Sequence, residues 1–399
     1  MPERIAIVGD LALSESKLSF PASLDFKRII VNLEGPLLDH GAKSKGAVKA
    51  GPHVFNSLGF GDERLADLSS WIFSAANNHM MDFGESGYLQ TLACINEHNS
   101  TLIGVGSDLQ SSRSDHIIQI DGVFISLISC SQKTFRVSTP QGPGIAEVGD
   151  WVFEKISENV KKGFETIVFH HGGTEDFSLP SPGIVERYRS WIDAGARLIV
   201  GTHPHVVQPF EKYKRGEIFY GLGNFAVEPS KWQSSDGRNQ VSLMLTVEVV
   251  EGKLQVSSRF ITCEVPINSK TVAVRPVEGQ DVRSFLKSMH PILNNPLLHA
   301  KVWQEYSVEI YRKFYRRQII IATFSELVFH FLPKSARIRF GFLNRPFLFD
   351  LIAWDDNREV IEQSLGMKHG HIIDIRDKGS RKIWRQIKAM EELVWFAEN

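Results

Sequence analysis

The stretch Ala196-Arg197-Leu198-Ile199-Val200-Gly201-Thr202-His203-Pro204-His205 decides how the chain is read. Its apolar run predicts a buried strand, and Gly201 supplies a sharp turn at the strand's end. Two imidazoles one residue apart then fall where α/β proteins place their chemistry, beyond the carboxyl ends of strands. Further apolar runs are laid out alike. Residues 5–8 lead into Gly9-Asp10, and 28–31 into Asn32-Leu33-Glu34. Residues 71–76 lead into Asn77-Asn78-His79, and 166–169 into His170-His171-Gly172-Gly173.

Between these runs lie helical periods at 85–98, 150–162 and 183–194. Asp150 is placed to cap the second, and Gly195 to end the third. A short helix is expected at 62–70, a loop at 39–53 and a strand at 101–106. Residues 116–130 predict a hairpin turning at Asp121-Gly122, since Asp-Gly between apolar runs is a strong hairpin cue. A second hairpin is expected from 242–250 and 254–262, across Glu251-Gly252-Lys253. Strands alternating with helices, followed by antiparallel hairpins, predict a sandwich of mixed sheets flanked by helices, an α/β (α+β) class. The pattern turns mostly helical after about residue 270, which predicts two domains, 1–268 and 269–399.

At 399 residues the chain is long enough for one large core and a second domain. A net charge of -1 gives no bulk attraction for nucleic acid. Cys94, Cys130 and Cys263 are far apart and form no CxxC pair, which speaks against a disulfide framework and a thiolate metal cluster. No apolar stretch reaches the ~20 residues of a membrane span. The nearest, 318–332, is interrupted by Glu326 and His330. The chain opens directly into a strand without a charged leader, so the expected location is the cytoplasm, with contact to a membrane surface left open.

Taken together, Asp10, Glu34, Asn78, His171, His203 and His205 form a set of oxygen and nitrogen donors suited to zinc, manganese or iron. A single zinc needs only about four ligands, so six donors with one bridging carboxylate fit a pair of divalent ions. Two ions ~4 Å apart clamp the attacking and leaving oxygens of a hydrolytic displacement and bring a bound water to a pKa of about 7. His79 follows Asn78 and is placed to protonate a leaving group, with Asp82 orienting it. His170 is expected on the opposite face from His171, because neighbouring strand residues point apart. Glu175 and Arg187 are candidate charged substrate contacts, with surface ion pairing the plainer reading of both. Each motif alone is a common turn or cap; their shared position along one sheet edge makes the case.

The motifs Gly9-Asp10, Asn32-Leu33-Glu34, Asn77-Asn78-His79-x-x-Asp82-x-Gly84, His171-Gly172-Gly173-Thr174-Glu175, Gly201-Thr202-His203-Pro204-His205 and Tyr220-Gly221-Leu222-Gly223-Asn224-Phe225 stand in the order seen in the CapA family. The chain resembles that family over roughly 4–262. The family is tied to capsule and poly-γ-glutamate synthesis and resembles the calcineurin-like metallophosphoesterases. The resemblance implies a four-layer αββα sandwich, the six donors above as metal ligands with Glu34 bridging, His79 as proton donor and Asn224 at the pocket border. Phosphoesterases of this fold carry a histidine where this chain has Ala12, so the first metal site is a ligand short and weak or empty. Thr202 replaces a histidine common in the family, and Gly221 a serine.

Beyond the resemblance, 311–349 mixes arginines, lysines and aromatics around an apolar helix. Such a stretch suits docking on the first domain or dimer packing, and also contact with an anionic membrane surface or the synthesis machinery on it. No nucleic-acid motif is present. Two functions follow. One is a metal-dependent hydrolase of phosphoester or related bonds, acting on an anionic polymer or a phosphorylated small molecule. The other is a non-catalytic accessory protein that binds polymer or its carrier. Ala12 favours the second; the Asn78-His79 pair and His203 with His205 favour the first.

Overall fold

The computed structural model describes residues 3–14, 16–19, 26, 28–38, 53–57, 71–134, 136–228, 240–264, 271–315 and 355–396. The expected helix at 62–70, the loop at 39–52 and the stretch 316–349 lie outside them.

The first sheet grows around β1 (Ile5–Ala12), which is buried along its whole length. A run that apolar needs cover on its faces, which packed side chains such as Cys94 and Ile95 help supply, and backbone partners on both edges, which parallel and antiparallel neighbours provide. β3 (Arg28–Leu33) lies parallel along one edge, followed by β6 (Trp71–Ser74) and β7 (Thr101–Ile103). On the other edge β17 (Val241–Val250) pairs antiparallel with residues 5–7. β16 (Asn224–Val227) then takes over in parallel from Asp10 to Ala12. β18 (Lys253–Glu264), β19 (Thr271–Val277) and β2 (Lys17–Ser19) complete the sheet, which has nine strands.

The second sheet has six strands. At its centre β10 (Val123–Ser131), β12 (Glu165–His171), β13 (Leu198–Thr202) and β15 (Gly216–Phe219) run parallel. β9 (His116–Ile120) and β14 (Phe210–Tyr213) close the edges in antiparallel pairing. Two short pairs stand apart: β4 (Leu37–Leu38) with β5 (Asn56–Ser57), and β8 (Val105–Gly106) with β11 (Gly144–Ile145).

Helices cover the sheets. α1 (Gly84–Glu97) sets Cys94 and Ile95 against Val31, Trp71 and Phe73 of the first sheet. After the short α2 (Leu109–Ser112), α3 (Asp150–Lys162) and α4 (Pro182–Ala194) pack on the second sheet. α4 shows why the sequence turns helical there. Ser181 caps it by accepting from the Ile184 amide, Pro182 fits its first turn, and Gly195 ends it at φ 124. Its buried residues Ile184, Val185, Tyr188, Trp191 and Ile192 form one stripe at helical spacing. This is the expected α/β architecture with helices outside two sheets.

Both hairpins form as read, turning on Asp121-Gly122 and Glu251-Gly252, each pair with positive φ as a tight turn between twisted strands requires. Three details differ. Asp150 is the first helical residue of α3, and Gly149 holds the cap position; the carboxylate instead faces the positive end of the helix dipole. The strand expected at 101–106 breaks at Gly104, φ 83, and its second half pairs elsewhere. Gly201 makes no turn: β13 runs through it to Thr202.

Two compact units divide at Met289 and His290. The change of pattern near residue 268 precedes one more strand of the first sheet, β19, and the amphipathic α5 (Gln280–Ser288), so the first unit extends to Met289. In the second unit α6 (His290–Leu293) leads into α7 (Pro296–Ile310), which packs on α8 (Asp355–Lys368). α9 (Lys378–Phe396) is joined to α7 by Glu309, which accepts from Trp384 and Lys388. No helix among the described residues is long and apolar enough to cross a membrane.

Candidate metal centre

Asp10 lies inside β1 at a bulge, where pairing with β3 shifts between Val8 and Asp10. A bulge re-aims a side chain, and here it sets Asp10 opposite Asn224 of β16. The approach depends on Gly9, because a Cβ there would stand 1.7 Å from the Gly223 carbonyl oxygen.

One amide holds the two acids together. Asn32 Nδ2 donates to Asp10 Oδ1 at 2.7 Å and to Glu34 Oε2 at 2.6 Å. Asn77 supports this clamp: its Nδ2 donates to the Leu33 carbonyl at 2.6 Å, and its Oδ1 accepts from the His79 and Met80 amides. Asn56 reaches the same region, accepting from the Leu13 amide and donating to the Glu34 carbonyl. Asp10, Glu34, Asn78, His79 and Asp82 are all buried.

The imidazoles arrive from the second sheet. His171, the last residue of β12, meets Asn78 Oδ1 at 2.9 Å through Nε2 and Thr202 Oγ1 at 3.1 Å through Nδ1. Its Nε2 stands 3.6 Å from Glu34 Oε1. The turn after β13 carries His203 at φ 97 and His205 at φ 60, both in the left-handed region. Such backbone costs about 1–3 kcal/mol per residue and persists where the surroundings over-determine it. His205 Nδ1 lies 2.9 Å from Asn224 Oδ1 and 3.3 Å from Asp10 Oδ2. His170 points the other way, as expected, with Nδ1 2.9 Å from the Tyr188 hydroxyl on α4.

His79 Nδ1 is 2.8 Å from Asp82 Oδ2, which also accepts from the Val54 amide at 2.8 Å. The other ring nitrogen, Nε2, stands 3.8 Å from Glu34 Oε1. Glu175 Oε1 is 3.9 Å from His203 Nε2. Arg187 is partly buried on α4, near enough to disfavour a charge on His170.

Burial, then the negative charge of Asp10, lifts the Glu34 carboxyl to about 8. Burial opposes a charge on His205, but the Asp10 hydrogen bond and charge, with Glu175 and Glu34, override it and hold the imidazole at about 10. His171 is pushed well below the ordinary range, by burial and then by His203 and His205. Glu34 Oε1, fully shielded from solvent, has no hydrogen-bond partner among the described residues. Two buried carboxylates clamped side by side, one with an oxygen unsatisfied, need a positive charge between them. The residues therefore fit a divalent cation. The ligand atoms of Asp10, Glu34 and His171 lie within 4.8 Å of one another, and so do those of Glu175, His203 and His205.

All six predicted donors come to one region, Asn78 through His171. Asn224 lies beside it, with Oδ1 2.9 Å from His205 Nδ1. Asn32, Asn77, Thr202 and Asn56 were not assigned to the site from the sequence. The doubled Asn77-Asn78 and the Asn32-x-Glu34 spacing carried a signal for two of them; Asn56 carried none. Ala12 is fully buried against Val54 and Val227, so that position offers no donor.

Mixed sheets with helices outside and donors gathered at their strand ends define an α/β protein of the metallophosphoesterase-like fold. The family profile "Bacterial capsule synthesis protein PGA_cap" matches residues 22–229, and the chain belongs to that family. It is 29% identical over 213 residues to "Capsule biosynthesis protein CapA" of Bacillus anthracis, covering 52% of this chain and 49% of that one. It is 32% identical over 176 residues to "PGA biosynthesis protein CapA" of Bacillus subtilis (strain 168), covering 43% and 46%. A "Probable polyglutamine synthesis accessory protein" of Mycobacterium tuberculosis is 26% identical over 174 residues, covering 40% and 46%. The chain thus spans about half the length of the curated relatives it matches.

Proposed function

We propose that the chain is a metal-dependent hydrolase of a phosphoester or related bond, working in the synthesis or processing of an anionic cell-surface polymer such as capsule or poly-γ-glutamate. The observation that carries this reading is the buried His79–Asp82 pair, set 3.8 Å from the Glu34 carboxylate. A site built only to bind has no need of a carboxylate-oriented imidazole beside its acids. Asp10, Glu34, Asn78, His171, His203 and His205 would hold the ions. Bound divalent ions supply Lewis acidity and a water nucleophile at neutral pH.

Each residue has a definable task. Asp82 accepts a hydrogen bond from Nδ1–H of His79 and fixes the ring's orientation, so that Nε2–H of the imidazolium donates its proton to the leaving oxygen. Asn32 keeps Asp10 and Glu34 at fixed separation. Thr202 and Asn78 set the ring of His171. Burial of the whole group excludes bulk water and strengthens each of these interactions. The polymer setting is suggested by the relatives' names; a phosphorylated small molecule is the alternative substrate that a metallophosphoesterase-like site would accept.

The test pairs elemental analysis of the purified protein with turnover of a generic phosphodiester in added manganese. The expected result is two ions per chain and turnover that disappears in His79→Ala while the ions stay. Metal-free protein that stays inert in manganese, zinc and iron would overturn the proposal. The apolar packing of Ala12 favours the second reading, an accessory protein that binds polymer or carrier; bound metal with no turnover of any phosphoester would select it. The membrane or machinery contact proposed for 311–349 rests on its composition.

A further inference from the structure

We infer that Glu175 is a metal ligand, forming with His203 and His205 a two-histidine, one-carboxylate cation site beside the one built from Asp10, Glu34 and His171. The inference rests on the metal-dependent reading above and adds to it a residue expected to contact substrate.

The first support is distance. Glu175 Oε1 and His203 Nε2 stand 3.9 Å apart, too far for a hydrogen bond. Two atoms each ~2.1 Å from a tetrahedral ion stand ~3.4 Å apart, so the observed gap is near that of two ligands sharing one ion. With His205 the three donor atoms fit within 4.8 Å.

The second support is how Glu175 is delivered. The loop after β12 is tied to the histidine turn on both sides of it: the Gly172 amide donates to the Thr202 carbonyl at 3.0 Å, and the Asp176 amide to the Pro204 carbonyl at 2.9 Å. Between them Gly173 adopts φ 112, and Asp176 follows at φ 55. A loop pinned on both sides to the segment bearing His203 and His205 holds Glu175, the carboxylate whose oxygen stands within reach of both rings, beside them.

The third support is the supply of donors. β1 provides Asp10 and then Ala12, which is enclosed by Val54 and Val227 and contributes nothing. A carboxylate for the histidine pair has to come from elsewhere, and Glu175 provides it. His205 is already prepared: Asn224 and Asp10 engage its Nδ1, the outer hydrogen bond that a metal-ligating histidine ordinarily makes, which assigns Nε2 to the ion. Three protein ligands leave an open position, as sites that bind and activate substrate do. Glu175 is the partly exposed member of the group, with 37% of its side chain accessible, so this ion would sit toward the mouth of the site.

The test is metal stoichiometry and affinity of the full chain, stripped by chelator and titrated with cobalt(II), read by calorimetry and by the visible absorption of the bound ion. The parent is expected to bind two ions. Glu175→Gln is expected to keep one and to weaken the other at least ~100-fold, the upper end of what losing even an outer-shell partner costs. Glu175→Asp is expected to restore two. Two ions bound by Glu175→Gln with parental affinities and an unchanged cobalt spectrum would overturn the inference and leave the metal-dependent reading intact. A parent chain that binds no cobalt would overturn both.

Discussion

Gly201→Ala is expected to destabilise the first unit by roughly 1–4 kcal/mol, although backbone considerations alone point the other way. The φ of Gly201 is not in the left-handed region, so alanine is conformationally allowed and should stabilise by about 0.4–1 kcal/mol through the unfolded chain. Space decides the outcome. A Cβ at Gly201 would stand 1.9 Å from the Tyr220 carbonyl oxygen and 3.0 Å from the Tyr188 hydroxyl. Carbon and carbonyl oxygen normally approach to ~3.3 Å, so β13 and the 220–222 segment must separate by ~1.4 Å. The 3.1 Å bond from the Leu222 amide to the Gly201 carbonyl would not survive that shift. Its loss costs ~1 kcal/mol and the overpacking about 1–3 kcal/mol, which outweighs the entropic gain. At roughly 2–4 °C per kcal/mol, a fall in Tm of about 5–10 °C follows, read by circular dichroism in chelator so that bound metal does not mask it. A variant melting at or above the parent would refute the close-approach reasoning.

Asp82→Asn is expected to lower kcat by about 10²- to 10⁴-fold while metal content stays unchanged, because the task of Asp82 is to orient His79; equal loss of metal would assign it a ligand role. Glu34→Gln is expected to abolish tight metal binding yet raise Tm in chelator at pH 7: the native carboxyl, lifted to about 8, is a penalty present above its ordinary range, and the amide removes it while still accepting from Asn32. A lower Tm for the metal-free variant would argue against that. His170 is held well below its ordinary pKa by burial, so the unfolded chain takes up its proton first as pH falls. Stability is therefore full above pH ~6.5 and lost below it, by up to about 1.4 kcal/mol per pH unit, and His170→Gln should flatten that acid slope in denaturant titrations. Added manganese or zinc at 100 times Kd is expected to stabilise the protein by about 2.7 kcal/mol, seen as a Tm that climbs with metal concentration.

The strands around the site were legible because each is an apolar run ending in polar donors, and buried parallel strands need that composition. Position along the chain also revealed the hairpins, whose Asp121-Gly122 and Glu251-Gly252 turns depend only on local chemistry. Gly201 and Gly104 were harder. Turn glycines and close-approach glycines look alike in sequence, and the Tyr220 carbonyl and Ser129 that crowd them come from distant segments. The extension of the first unit through β19 was hidden for a related reason, since pairing with β18 is tertiary information. Among site residues, those with metal-binding side chains stood out, while Asn32, Asn77 and Thr202 did not. An amide that clamps two acids reads in one dimension like any turn asparagine. Glu175 reads in sequence as a charged substrate contact or a surface ion pair, because nothing there says that its loop is bonded to the His203-Pro204-His205 turn.

β1 is placed in the middle of its sheet, yet among the described residues one of its edges is covered only by β16 and β17, whose residues begin at Asn224 and Val241. During synthesis this strand, buried along its whole length in the folded protein, therefore leaves the ribosome with the partners of one edge still untranslated, for roughly 10–50 s at ordinary elongation rates. Truncated chains ending before Asn224 would keep that edge open permanently and offer it to other nascent copies. Closure of that edge thus waits on segments translated long after β1 itself.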